Sequence, residues 1–389
     1  MIANPIYRAI FWITAVLALG GNSFVFIATA HSLWNVDRNK NVFIITSAFI
    51  LNLCCSDFLM GIYLLVVIVQ ATQFSGTYCL FDKEWRSSSL CSGLGVLSII
   101  SSEASAFTMT AMTTFRLISA FKPFTIRSVG VCKVLFAELV CWISAVVLAI
   151  VPLLKVTSGY FTTDVWFPNN IFGNDFVSRE NMSLLAERIA NVKRERWDDV
   201  KETIKQTFPR NPIKGEFGYY GETSVCMPRL FATTSEFAWE YSTFLITINF
   251  LMFIYMVVAY VLIYKQSNRM KGSRSNDVSS KMQKRISRLI LTDFCCWIPI
   301  CVMGYLSVGG MKMPPDAYVL SACLLLPINS ALNPLLYSKA IEDQLVRAKK
   351  WLMEKLSILR ASTNRSSDLA VRYNAGADEE GDRVVEIRE

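Results

Sequence analysis

Residues 322–337 read ACLLLPINSALNPLLY, part of an apolar stretch of membrane-spanning length that is interrupted by Asn329, Asn333, Pro334 and Tyr337. Hydrocarbon cannot satisfy two side-chain amides, or the backbone carbonyl that a helical proline leaves without a donor. Such groups face a protein interior or a water-filled space. We therefore predict a bent helix whose polar side chains meet other helices.

The composition of the 389-residue chain is that of a membrane protein, with 53% hydrophobic residues, 18% charged residues and a mean hydropathy of +0.37. A hydrocarbon core about 30 Å thick needs about 20 apolar residues per helix. Seven stretches reach that length, at about residues 7–33, 42–70, 92–121, 131–154, 239–264, 286–308 and 316–338. The sequence therefore predicts an all-α membrane protein, a bundle of seven transmembrane helices.

Basic residues concentrate in the connections that follow the first, third and fifth spans. They are Arg38, Lys40, Lys122, Arg127, Lys133, Lys265, Arg269, Lys271, Arg274, Lys281, Lys284 and Arg285. Because cytoplasmic loops are enriched in Lys and Arg, we expect the amino terminus outside the cell and the carboxyl tail in the cytoplasm. The formal net charge of +8 then faces anionic lipid, and the chain has no basic domain for nucleic acid.

The chain is predicted to contain three regions. Residues 1–338 form the transmembrane domain, which includes a long extracellular loop at residues 155–237. Residues 339–360 carry apolar side chains on one side and basic ones elsewhere, which predicts an amphipathic interfacial helix on the inner leaflet. Residues 361–389 lose this pattern and are predicted to be a disordered cytoplasmic tail.

The loop at residues 155–237 is much longer than the other connections. Its charged middle has apolar side chains near helical spacing, as in an amphipathic helix. Three explanations stay open: a solvated insertion without a binding role, a helix that faces a ligand or partner, and foreign sequence retained by a gene-model error. Asn181 begins the sequon Asn181-Met182-Ser183 and is expected to be glycosylated.

Ionisable side chains at membrane depth indicate an interior that satisfies them, because each costs at least about 2.5 kcal/mol on insertion scales. Asp57, Glu103 and Asp293 lie within spans, and Arg116 lies at the inner end of the third span. Asp57 is either a structural buried carboxyl or, as we prefer, the centre of a polar cluster that holds water or a sodium ion. The other members of that cluster are Asn22, Asn329 and Asn333. Glu138, in the fourth span, is expected to reach the membrane interface with its flexible side chain.

Catalytic chemistry is not expected. The only histidine is His31, so Ser/His or Cys/His catalysis and histidine-based metal sites have no set of residues to use. The sequence therefore predicts a protein that is not an enzyme and that has no resident cofactor, apart from the sodium ion considered near Asp57.

Six motifs occur along the chain in the order found in the rhodopsin-like (class A) G-protein-coupled receptors, which this sequence resembles. They are Gly21-Asn22, LNLxxxD ending at Asp57, Cys91 with Arg116, Trp142, Cys296-Trp297-Ile298-Pro299 and Asn333-Pro334-Leu335-Leu336-Tyr337. Further strings resemble the leucine-rich-repeat-containing hormone receptors, and among them the relaxin receptors. These strings are CSDFLMGIYL, Ser102-Glu103, Asp293 four residues before Trp297, and PINSALNPLLY. Only about six residues precede the first span, where that branch has a large ectodomain, so the sequence is expected to be either a fragment or a receptor without its hormone-capturing half.

The resemblance implies a receptor in the plasma membrane that transmits the signal of an extracellular peptide or protein hormone, relaxin-like or glycoprotein-hormone-like, to heterotrimeric G proteins. It also implies a disulfide between Cys91 and Cys226, and it suggests cyclic AMP signalling. Two alternatives remain: a truncated relative that does not signal but modulates full-length receptors, and a channel or transporter, whose expected internal repeat is not visible.

The resemblance also assigns roles to individual residues. The activation switch is expected to comprise Glu103, Asp293, Trp297, Pro299, Asn333 and Pro334. In this switch the sixth span pivots about Pro299. In that switch Glu103 and either Asn329 or Asn333 are candidate partners of the sixth span. The residues expected to contact a G protein are Arg116, Tyr260, Lys284, Arg285 and Tyr337. The family's acidic residue before the arginine is replaced by Phe115, so we expect a weaker restraint on Arg116. Core packing for Trp297, and interface packing for Tyr260, are the simpler alternatives.

Overall fold

The structure, a computed structural model, describes residues 5–34, 41–74, 85–86, 88–122, 124, 129–154, 184, 202–203, 205–207, 225–232, 234, 239–270, 277–311, 313, 321 and 325–337. Within these residues lie seven α-helices of twelve residues or more. Their bounds are Pro5–Trp34 (α1), Asn41–Gln73 (α2), Ser89–Phe121 (α3), Val131–Ile150 (α4), Trp239–Met270 (α5), Asp277–Val308 (α6) and Leu326–Tyr337 (α7). The predictions for Asn181, for residues 339–360 and for residues 361–389 fall outside the described residues.

Six of the helices, α1 to α6, are long and apolar enough to cross a membrane. The described part of α7 has 12 residues and contains Pro334, as the sequence predicted for a bent last helix. The all-α, seven-helix architecture is therefore confirmed. The helices α5 and α6 continue beyond the predicted apolar spans, because polar and charged residues at the end of α5 and at the start of α6 continue the same backbone hydrogen bonding.

Local signals explain where the helices begin and end. Ser88 caps α3, since its hydroxyl accepts the amide hydrogen of Cys91 at 3.1 Å. At the other end the amide of Lys122 donates to the carbonyl of Ile118 at 2.7 Å. The helix α4 passes into a single 3₁₀ turn at Val151–Leu153, which contains Pro152.

The helices pack in a closed arrangement in which α3 contacts α2, α4 and α5, while α1 and α6 both contact α7. A Cβ atom placed on Gly21 would lie 3.0 Å from Cγ of Pro334, so glycine permits α1 to approach the bend of α7 closely. A Cβ on Gly61 would lie 2.8 Å from Cγ of Leu19, so this glycine likewise permits a close contact between α1 and α2. Small residues thus bring the polar faces of three helices together.

Candidate functional site

The centre of the bundle is a polar cluster around Asp57, which is only 1% exposed on α2. The hydroxyl of Ser330 donates to Oδ1 of Asp57 at 2.9 Å, and Nδ2 of Asn333 donates to Oδ2 at 2.8 Å. Nδ2 of Asn22 donates to the backbone carbonyl of Ser330 at 2.9 Å. The carboxylate therefore joins α1, α2 and α7 in one hydrogen-bonded network. Sequence reasoning missed Ser330, although it stands next to Asn329 in the segment quoted first.

Asn329 was predicted to join Asp57, but the structure gives no hydrogen bond between the two described side chains. Instead Asn329 lines a small cavity of about 20 Å³ together with Asp293, Trp297, Ser105 and other residues of α2, α3, α5, α6 and α7. One side-chain oxygen of Asp293 and the amide oxygen of Asn329 are buried there without a hydrogen-bond partner. Asp293 and Asn329 thus line the same cavity, while Asn333 donates to Asp57, and the role of Asn329 as a partner of α6 in the switch stays a prediction.

A sodium ion near Asp57 fits the chemistry of these groups. The Asp57 carboxylate accepts hydrogen bonds from the side chains of Ser330, Asn333 and Ser105. The amide oxygens of Asn329 and Asn333 have no donor among the described residues. Oxygen atoms with free lone pairs around a buried carboxylate are suitable ligands for a hard cation. The residues therefore fit the cation that the sequence suggested.

Glu103 makes a different contact from the one expected. Nδ2 of Asn249, on α5, donates to Oε1 of Glu103 at 2.7 Å, and both side chains are buried. The prediction considered Glu103 as a partner of the sixth span, where Asp293 is the nearest acidic switch residue. A carboxylate gains more from an amide donor than from a second carboxylate, because like charges repel in a medium of low dielectric constant. The isolated Asn249 within an apolar span was the signal that could have shown this pair.

Trp297 lies between two small cavities of the bundle. It lines the cavity next to Asp293 and also a second one next to Glu103. Its ring packs against Phe253 of α5 with ring centroids 5.6 Å apart, and Pro299 follows two residues later inside α6. The aromatic side chain is therefore a core residue and, at the same time, the group that separates the two polar cavities.

At the end of the bundle that contains the carboxyl end of α3, Nη2 of Arg116 donates to the hydroxyl of Thr46 on α2 at 3.1 Å. Phe115, which takes the place of the family's acidic residue, packs against Phe49 with ring centroids 5.8 Å apart. Tyr260 lies close enough to Arg116 to interact electrostatically with it. Arg116 is thus hydrogen-bonded to a neutral hydroxyl on α2, and the weaker restraint expected from the sequence stays a prediction.

For three further residues that were predicted to contact a G protein, the structure describes the helix position but not the side chain. Lys284 and Arg285 lie on α6 and Tyr337 is the last residue of α7, but their side chains are outside the described part of the structure. Sequence reasoning did not single out Phe124, which follows α3 and is 84% exposed. An exposed aromatic side chain shortly after the end of α3 is a signal that only the structure reveals.

The prediction for Glu138 was wrong. Rather than reaching the membrane interface, this side chain is 2% exposed at the contact of α4 with α3. Its Oε2 accepts the hydroxyl hydrogen of Thr108 at 2.8 Å. The hydroxyl on the neighbouring helix offers a partner at the same depth, so the carboxyl group has no need to extend toward water.

At the opposite end, Cys91 and Cys226 form a disulfide with Cα atoms 5.2 Å apart. It fixes a largely buried stretch, residues 225–232, which we call the capping segment. The hydroxyl of Tyr63 donates to the carbonyl of Val225 at 2.7 Å, and that of Ser307 donates to the carbonyl of Phe231 at 2.6 Å. The capping segment is therefore attached to α2, α3 and α6 at once. Of its residues, the resemblance pointed only to Cys226.

Comparison with known proteins agrees with this arrangement. Residues 209–337 match the family described as the 7 transmembrane receptor (rhodopsin family). The chain resembles the rhodopsin-like G-protein-coupled receptors. Rhodopsin-like receptors are not enzymes, in agreement with the expectation from the sequence, and the disulfide belongs to the features that the resemblance implied.

Similar proteins point to the hormone-receptor branch of the rhodopsin-like receptors. The G-protein coupled receptor GRL101 of Lymnaea stagnalis is 27% identical over 90% of this chain and 26% of its own length. Human relaxin receptor 1 is 27% identical over 87% of this chain and 37% of its own length. The lutropin-choriogonadotropic hormone receptor of Gallus gallus is 24% identical over 85% of this chain and 36% of its own length. The chain thus spans between a quarter and two fifths of the length of these relatives.

Proposed function

We propose that this chain is the signal-transducing part of a G-protein-coupled receptor that carries the signal of an extracellular peptide or protein hormone to heterotrimeric G proteins. The observation that supports this most directly is the buried network in which Asp57 joins α1, α2 and α7. Buried polar networks at membrane depth are expensive, and they are kept where function requires them. The amino terminus lies outside the cell and the carboxyl tail in the cytoplasm of a plasma-membrane receptor.

The activation switch is centred on α6. Pro299 removes one backbone hydrogen bond and allows this helix to bend, while Trp297 and Asp293 contact the cavities on either side. In the active state α6 pivots about Pro299, and Asn333 and Pro334 permit α7 to adjust. Asp57 and the amide oxygen of Asn333 would hold a sodium ion, whose charge would neutralise the buried carboxylate. Glu103 transmits the movement of α5 through Asn249.

The cytoplasmic surface recognises the G protein through the end of α3 and its neighbours. Arg116 leaves Thr46 and, with Tyr260 and Tyr337, lines a cavity for a helix of the G protein. Lys284 and Arg285 stand at the rim, where their charge favours an acidic protein surface. Phe124, exposed beside α3, provides an apolar contact for the same partner.

The hormone class is inferred from the relatives, two of which are named as receptors for relaxin and for lutropin and choriogonadotropin. The capping segment supports a large ligand rather than a small one, because Met227 and Leu230 close the upper side of the cavity beside Glu103. A hormone that acts on this segment from outside changes its contacts with α2 and α6.

The decisive experiment expresses this chain alone in cultured cells and records G-protein dissociation and cyclic AMP. We expect basal output above that of the same cells carrying an empty vector, at a surface level measured with an epitope tag. Silence of the chain alone, together with altered output of co-expressed relaxin receptor 1, would instead support the truncated modulator. Silence in both settings would refute receptor function.

Asp293→Asn tests the switch. The change replaces a buried carboxylate of α6 by a neutral amide and so alters the polar contacts of α6 in the closed state, from which we expect basal cyclic AMP to rise. A loss of about 1.4 kcal/mol corresponds to a change of up to roughly tenfold in the ratio of active to inactive receptor. The measurement compares variants at matched surface expression. An unchanged basal level would remove Asp293 from the switch.

Thr46→Val tests the restraint on Arg116. Valine has nearly the shape of threonine but cannot accept the hydrogen bond from Nη2, a bond to a charged group worth about 1.5–3 kcal/mol. We expect basal output to increase several-fold, while Thr46→Ser retains the wild-type level. Thr72→Val is the matched control, since the Thr72 hydroxyl bonds only the carbonyl of Ile68 in its own helix. Equal output from the Thr46→Val and Thr72→Val variants would show that the hydroxyl does not restrain Arg116.

A further inference from the structure

A second polar cavity lies under the capping segment, apart from the Asp57 cluster. Glu103, Ser98 and Ser102 of α3 line it together with Asn249 of α5. Its volume is about 20 Å³, which is room for roughly one or two water molecules. The cavity is therefore of the size of a small ion rather than of a drug-like molecule.

The polar hydrogens of this wall are already used elsewhere. Nδ2 of Asn249 donates both to Oε1 of Glu103 and to the carbonyl of Leu245, at 2.7 and 2.9 Å. The Ser98 hydroxyl donates to the carbonyl of Gly95 at 2.8 Å, and the Ser102 hydroxyl donates to the carbonyl of Ser98 at 2.9 Å. These four side chains therefore have no free polar hydrogen, and only the lone pairs of their oxygen atoms remain available to a ligand.

Two of these acceptors lack any partner. Oε2 of Glu103 and Oδ1 of Asn249 are buried without a hydrogen bond among the described residues. Glu103 is 2% exposed, and the only donor that its carboxylate receives from this part of the chain is a neutral amide. A buried carboxylate that is neither paired nor coordinated is strongly disfavoured. A positive charge in this cavity would therefore stabilise the carboxylate of Glu103.

We propose that this cavity binds a sodium ion through Oε2 of Glu103, Oδ1 of Asn249 and the two serine hydroxyl oxygens. One carboxylate matches one monovalent charge, and the small volume excludes a substituted ammonium ion. This ion is distinct from the one near Asp57, because the two ligand sets share no residue. The inference goes beyond the proposed function, since binding does not require that the chain signals.

The test measures the melting temperature of the purified full chain in detergent, in sodium chloride or in choline chloride at equal ionic strength. The background is Asp57→Asn, which removes the charge of the other cation site. A ligand that binds only the folded state raises the melting temperature, here by about 2 °C or more at saturating sodium. We expect this rise in Asp57→Asn and its loss when Glu103→Gln is added.

Matched variants separate binding from general damage. Glu138→Gln removes another buried carboxylate that also has one oxygen without a partner but that lies outside the cavity, and it should retain the full sodium response. Ser98→Ala with Ser102→Ala removes only hydroxyls bonded within α3, so folding should survive while the sodium midpoint weakens several-fold. The proposal is overturned if Asp57→Asn alone abolishes the response, if Glu103→Gln or the serine double variant leaves it intact, or if choline stabilises as well as sodium.

Discussion

Replacement of Cys226 by alanine is expected to reduce surface expression at least several-fold and to lower the melting temperature of the purified chain. The disulfide to Cys91 closes a loop with a sequence separation of 135 residues. In the chain-entropy view a link of this length contributes about 4–5 kcal/mol, and losses of about 2–5 kcal/mol are typical when a native disulfide is removed. A change of even 1–2 kcal/mol alters cellular abundance several-fold.

The effect is expected to arise in the capping segment. When the disulfide is removed, the loop regains conformational entropy in the unfolded state. The contacts with Tyr63 and Ser307 must then keep the eight residues of the capping segment in place without the covalent link. Cys91→Ala should match Cys226→Ala, and the double variant should be no worse than either single one, because both changes break the same bond. Cys132→Ala, at an exposed free cysteine, is the control and should behave as wild type. Normal expression and melting of Cys226→Ala would contradict this role.

Asp57→Ala is expected to abolish signalling and to destabilise the fold. The change leaves the hydroxyl of Ser330 and the amide of Asn333 without their acceptor at the junction of α2 and α7. Each buried donor left unpaired costs about 1–3 kcal/mol, so the free energy of unfolding should fall by more than a typical point substitution lowers it. Sodium-dependent stabilisation at this site should disappear as well.

A graded series distinguishes this network from simple packing. Asp57→Asn keeps one oxygen that can accept from Ser330, so its loss of stability should lie between those of wild type and Asp57→Ala. Melting temperature and basal second-messenger output, both at matched protein levels, provide the two measurements. Equal stability for all three proteins would mean that the hydrogen bonds to Asp57 add nothing measurable, and the proposed role of this network would have to be abandoned.

The sequence was sufficient for the architecture because hydropathy and span length report depth in the membrane directly. It also indicated which side chains are too polar for lipid. Asp57 and Asn333 do bond to each other, and Asn22 joins them through Ser330. It could not assign partners across helices, since a single span shows neither its rotation nor its neighbour. Asn249 and Ser330 were missed for this reason, and Glu138 was placed wrongly. Their partners are set by helix packing, which depends on residues far away in the chain.

Pairing also depends on competition between groups, which no single motif reveals. The triplet Phe115-Arg116-Leu117 predicted that Arg116 lacks the neighbouring carboxylate of the family. Nothing in the triplet indicated Thr46, which lies on another helix. Likewise the resemblance placed Cys226 opposite Cys91, whereas the contacts of the following residues with Tyr63 and Ser307 emerge only when α2, α3 and α6 are assembled. The least predictable part of the candidate site is therefore the part made by several helices together.

The part of α6 that precedes Pro299 is long enough to act as a lever. It begins at Asp277, so roughly 30 Å of rigid rod lies between the bend and its free end. A tilt of about 10° at the proline displaces that end by about 5 Å, close to one helical turn. Sub-ångström changes around Trp297 are thereby magnified into a shift that another protein can sense. Deleting helical turns between Asp277 and Pro299, with Pro299 retained, would therefore separate the bending of α6 from the response of the protein that senses it.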